Sequence, residues 1–184
     1  MSYLTPITIH DSSGEINIHC SDSCPLNPKN NSVWHQANGS PNSIWVWNST
    51  LNQWISAHSF SHSESLELVP TTPALTGLIQ LLPVRQSISG YGLLLCEAMF
   101  TGQVSVNNDI NSNWSFQLSC GSNVGLPMTT AGLQANSNDV VGRSLNTVLL
   151  PTMGKLVECS IFQTGFPGSL TGIFSVNYRL VYVN

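Results

Sequence analysis

The sequence predicts an all-β fold: an N-terminal β-hairpin module over residues 1–70, then an antiparallel β-sandwich over 71–184. Three observations carry this reading. Apolar residues alternate with polar ones at a period of two, in short runs. Clusters of Gly, Asn and Pro separate those runs at the spacing expected of sandwiches and barrels. No segment shows a capped apolar stripe at the 3.6-residue helical period.

In chain order, Ile7 and Ile9 alternate, "DSSG" turns, and Ile16 and Ile18 resume, which predicts a hairpin over 3–19. Residues 20–43 read as a polar loop, with a short strand at Val33 and Trp34. In "SIWVWNSTLNQWISA", Ile44 and Val46 fall on one strand face and Trp45 and Trp47 on the other. "NSTLN" then turns the chain into a second hairpin. Residues 58–74 are Ser-rich and end in Pro70 and Pro73, so they read as a linker, with "ESLEL" an alternative short strand. Strands follow near 75–82, 91–101, 103–107, 113–120, 145–150, 155–164 and 171–183, with 121–144 a long excursion between two of them.

Charge is scarce. Only 8% of residues are charged, against about 25% in an ordinary domain. Ser and Asn fill the gap. A monomer stays soluble by scattering charge over its surface; a surface of hydroxyls and amides suits packing against copies of itself or other protein. The five basic residues, Lys29, Arg85, Arg143, Lys155 and Arg179, are isolated from one another. They form no patch for phosphates, so no nucleic-acid partner is expected. The start, "MSYLTPITIHDSSG", lacks the basic residues and apolar run of a secretory leader. No stretch reaches the roughly 18 apolar residues of a membrane span, so no membrane insertion is expected. The five cysteines, Cys20, Cys24, Cys96, Cys120 and Cys159, are an odd number. A cytosolic origin, expected from the absence of a leader, favours thiols.

No residue set commits to catalysis. The chain has no G-x-S-x-G elbow and no phosphate loop. His58 and His62 lie in the Ser-rich stretch. Glu97 and Glu158 fall inside strands beside cysteines, and if buried need partners such as Arg85, Arg143 or Arg179. Asp109 and Asp139 sit in Asn-rich loops without calcium-loop spacing. No metal site is predicted. The nearest approach is His19, Cys20, Cys24 and His35, but His19 and Cys20 point to opposite strand faces and no second close pair completes a tetrahedron. No cofactor is expected. The sequons at Asn30, Asn38, Asn48 and Asn113 follow from composition.

The strongest cluster is aromatic: Trp34, Trp45, Trp47 and Trp54, flanked by Asn42, Asn48 and Asn52. Three readings stand open: the core of a small module, a protein interface, or a sugar platform with Asn side chains hydrogen-bonding hydroxyls.

The segment "SIWVWNSTLNQWIS" resembles an element of tailed-bacteriophage virion proteins, in which a W-V-W/Y strand, a polar turn and a returning Trp make a hairpin near the anchoring end. The Ser/Asn/Gly-rich remainder, ending in "GIFSVNYRLVYV", is similar in texture to fibre heads and capsid decoration (cement) proteins. The resemblance implies a jelly-roll-like sandwich, a homotrimer, location in the virion, and the major capsid protein or another virion protein as partner. No shaft sequence is present, which favours a compact decoration protein over a complete fibre. The alternative is a receptor- or carbohydrate-binding fibre tip that contacts a host surface glycan.

Overall fold

The structure is a computed structural model, and it describes residues 7–11, 14–30, 32–38, 44–72, 76–83, 91–119, 127–149 and 156–183. Its elements are all strands: β1 (Ile7–Asp11), β2 (Gly14–Cys20), β3 (Ser32–His35), β4 (Ile44–Asn48), β5 (Gln53–Ser56), β6 (Phe60–Leu68) and β7 (Thr76–Pro83) come first. β8 (Tyr91–Val104), β9 (Asn113–Ser119), β10 (Met128–Thr129), β11 (Asp139–Leu149), β12 (Leu156–Thr164) and β13 (Leu170–Tyr182) follow. Among the described residues there is no helix.

Two sheets form. The nine-stranded sheet runs β1-β2-β3-β4-β5-β13-β8-β11, with β6 also paired to β13; the four-stranded sheet runs β10-β9-β12-β7. Their facing sides interdigitate. Phe100 of β8 stacks on Phe116 of β9 at 5.6 Å, and Phe174 of β13 meets Phe116 at 5.4 Å. Val157, Cys159 and Ile161 of β12 and Leu95, Val176 and Leu180 of the larger sheet complete this layer. The fold is therefore an all-β sandwich.

One close approach depends on missing side chains. Gly102 and Gly172 face each other across β8 and β13. A Cβ on Gly172 would meet the Thr101 carbonyl at 2.4 Å and the Phe100 ring at 2.7 Å. The bare backbone is what lets the Phe100 ring cover both positions.

Several expectations need correction. Residues 58–74 are not simply a linker, because β6 pairs with β13 along its length, from Leu68↔Leu170 to Phe60↔Tyr178. Its outward positions are Ser61, Ser63, Ser65 and Glu67, while His62 and Glu64, half-buried on the other side, pair with each other at 2.9 Å. Polar residues on both faces hid the strand. The expected strands 91–101 and 103–107 are one strand, β8, and the excursion 121–144 contains β10 and the start of β11. β13 bonds to β5 and β6, which precede residue 70, and to β8, which follows it. The N-terminal strands are also more than two hairpins: β2 and β3 pair in parallel and join them into one surface.

β13 changes partner partway along, from β6 to β5, and the change leaves a gap in the ladder. Ser56, fully buried, fills it. Its hydroxyl accepts from Leu180 N at 3.0 Å and donates to the His58 carbonyl at 2.7 Å. The side chain here stands in for a strand's backbone.

Candidate functional site

The aromatic cluster forms at one end of the larger sheet. The hairpin β4–β5 pairs Trp47 with Trp54, and β3–β4 pairs Trp34 with Trp45. Trp34 stacks on Trp45 at 6.1 Å and meets Trp54 edge-on at 5.8 Å. Two residues distant in sequence join them. Tyr91 stacks on Trp45 at 5.3 Å, and Tyr182 meets Trp34 edge-on at 5.0 Å. Trp34 and Trp45 are fully buried and Trp54 nearly so. Their indole N–H groups are accounted for where the rings are deepest: Trp34 donates to Ser21 O at 2.9 Å and Trp45 to Gln36 Oε1 at 3.2 Å. These rings extend the sandwich core. Each side chain of this size removes about 200 Å² from water, a burial worth about 5 kcal/mol at about 25 cal/mol per Å².

Trp47 differs: it is half-buried and lines an open cleft of about 670 Å³. The cleft lies between the β4–β5 hairpin (Trp47, Asn52, Gln53, Trp54), the end of β13 (Tyr182), and the loop 24–28. The hairpin turn is built by its asparagines. Asn48 Oδ1 accepts from Leu51 N at 2.9 Å, and Asn52 adopts a left-handed backbone at φ 52°, a conformation Asn tolerates better than most residues. Asn48 is thus committed to the turn. Asn52 is exposed and lines the cleft. Leu26, 85% exposed, forms part of the rim.

The four residues nearest to a metal pattern are dispersed. Cys20 and His35 oppose each other across β2 and β3, both exposed. His19 meets the Trp54 ring edge-on at 6.4 Å, and burial there pushes its pKa down. Cys24 lines the cleft and its thiol lies 3.8 Å from the Pro25 carbonyl. Among the described residues, no three His, Cys, Asp or Glu side chains gather to hold an ion. Glu97 accepts from Asn177 Nδ2 at 3.2 Å, and Arg179 donates to Ser59 Oγ and the Ala57 carbonyl. Asp109 accepts from Asn111 N at 2.8 Å within its own turn. Cys159 is buried beside Gln117, and desolvation pushes its thiol up to about 12. Arg85, Cys120 and Lys155 lie outside the described residues.

The opposite end of the sandwich, missed from sequence, carries a second candidate surface. Three connections meet there: residues 105–112, 130–138 and 165–169. Ser105 N donates to Ser169 O at 2.9 Å, Asn108 N to Leu133 O at 3.0 Å, and Gly132 N to Asn108 O at 2.8 Å. The buried Asn108 carboxamide, oriented to satisfy every partner, donates to Val106 O and Pro167 O and accepts from the Thr130 hydroxyl. Trp114 Nε1 donates to Gly168 O at 3.0 Å. Gly165 (φ 59°) and Gly168 (φ 70°) sit so close to Asn111 and Val106 that a Cβ would overlap them. This scaffold holds three apolar side chains outward: Val106 at 42%, Ile110 at 81% and Phe166 at 67% exposure.

No family model and no curated protein matches the chain. Solved structures give distant likenesses. The infectious bursal disease virus VP2 subviral particle aligns at 8% identity and TM-score 0.37, over 80% of this chain and 46% of that one. T=1 particles derived from the same virus align at 9% identity and TM-score 0.38, over 79% and 43%. The chain spans less than half the length of these proteins.

Proposed function

We propose that this chain is a non-enzymatic structural protein of a virion, bound to the capsid surface as an oligomeric decoration protein. The observation that carries the reading is the apolar end formed by Val106, Ile110 and Phe166. They are held by buried hydrogen bonds on a rigid frame, as an interface requires. The outward positions of β6 and β13, rich in Ser with Asn177 and Thr171, carry little charge, so neighbouring copies meet without like-charge repulsion. Closed symmetry covers apolar patches and strand edges with identical partners. A homotrimer is the proposed unit, with the major capsid protein as its docking partner.

The test is mass by light scattering during size-exclusion chromatography at micromolar concentration. The expected species is a trimer. Ile110→Asp with Phe166→Asp, both exposed and outside the core, shifts it to monomer without lowering the monomer's melting temperature. A wild-type chain that stays monomeric, and that is absent from capsid shells in cryo-electron microscopy of particles, overturns the proposal.

A further inference from the structure

The cleft beside Trp47 combines features that neither the core nor the apolar end explains. Its lining contains no Asp, Glu, Lys, Arg or His. It does contain three carboxamides, Asn27, Asn52 and Gln53. Among the described residues, none of these side chains has a hydrogen-bond partner. Each offers two N–H donors and a carbonyl acceptor. Asn27 and Asn52 both hold left-handed backbones, at φ 51° and 52°, and a third such Asn, Asn136, lies elsewhere. The lining also holds aromatic rings: Trp47 and Trp54 at 5.4 Å and 64°, and Tyr182. The volume, about 670 Å³, falls within the ~300–1,000 Å³ typical of small-molecule sites.

We infer that this cleft binds a neutral saccharide, with a sugar face on Trp47 and hydroxyls bonded to Asn27, Asn52 and Gln53. The chemistry selects the ligand class. A sugar presents C–H groups on one face and hydroxyls at its edge, each hydroxyl both donor and acceptor, which matches an aromatic wall bordered by carboxamides. Phosphorylated, sulfated or carboxylated ligands are disfavoured, because the lining has no cation to offset desolvation of their charge. A purely apolar ligand would leave the amides buried without partners. The site lies within one chain, so occupancy is expected whether the protein is a monomer or an oligomer.

The test is an array of immobilised neutral and acidic glycans, followed by tryptophan-fluorescence titration of soluble forms of those that bind. Neutral glycans are expected to bind and acidic ones lacking a neutral terminus are not. Trp47→Ala should abolish binding. Because that ring also packs on Trp54, two milder variants serve as its check. Asn52→Gly keeps the left-handed turn and Gln53→Ala keeps the strand. Each should weaken binding about tenfold with an unchanged melting temperature. An array with no neutral binder, one with acidic binders only, or binding that persists in the Asn52→Gly/Gln53→Ala double variant overturns the inference. Light scattering on the same sample reads the oligomeric state separately, so the failure of one proposal does not mask that of the other.

Discussion

Replacing Ser56 with Ala removes one oxygen and tests how the larger sheet is held where its partners change. Leu180 is nearly buried, and its N–H has the Ser56 hydroxyl as acceptor at 3.0 Å. Without that oxygen the donor is orphaned away from water. A buried unpaired amide costs about 1–3 kcal/mol. The His58 carbonyl, which loses the 2.7 Å bond, belongs to an exposed residue and can turn to water, so its loss adds little. The expected destabilisation is about 2 kcal/mol. In urea, with a slope near ~2 kcal/mol per molar, the midpoint falls by about 1 M, read by tryptophan fluorescence at fixed protein concentration. Ser32 supplies the control. It is also fully buried, and its hydroxyl has no partner among the described residues. Ser32→Ala should therefore leave stability unchanged or raise it. A loss under about 0.5 kcal/mol for Ser56→Ala, or an equal loss for both variants, refutes the reasoning.

Other outcomes follow from the packing. Gly172→Ala forces apart two backbones and the Phe100 ring; an overpacking cost of about 3 kcal/mol lowers the melting temperature by about 6–12 °C, checked by calorimetry. At alkaline pH, Cys159 stays protonated in the fold up to about 12, whereas the unfolded thiol ionises near ~8.5. The native state then holds the extra proton, so stability falls as pH rises through that window and is unaffected below it. Tyr91 and Tyr178, both raised by burial, add to the loss at higher pH, and Cys159→Ala should flatten its first part in urea melts from pH 7 to 10.5. With a thiol reagent at pH 8, exposed Cys20 should react first and buried Cys159 only on unfolding.

The parts of this fold that were legible in sequence are those whose information is local. The β4–β5 hairpin announced itself through alternation and through Asn48 and Asn52 at the turn. The two faces of β4 separated as expected, because residue spacing alone sets strand facing. β6 was obscure since its inward His62 and Glu64 satisfy each other, a pairing that no hydropathy pattern displays. The parallel contact of β2 with β3 had no signal, because turn chemistry reports hairpins and not crossovers. The cleft was half visible. Trp47 and Asn52 stood out, but Asn27 and Tyr182 reach it from twenty or more residues away in either direction, through contacts that only the assembled sheet creates.

The position of β13 has a consequence for biosynthesis. It lies in the middle of the nine-stranded sheet, yet it follows in sequence every strand that it joins. On the ribosome, β5, β6 and β8 emerge with a vacant lane between them, and nothing occupies it until residues from Leu170 onward leave the exit tunnel. Such long-range closure makes for slow folding and leaves strand edges bare to nearby nascent chains. Frameshifts or nonsense codons anywhere before that point would yield a chain unable to zip its sheet and without the Tyr182 ring that meets Trp34.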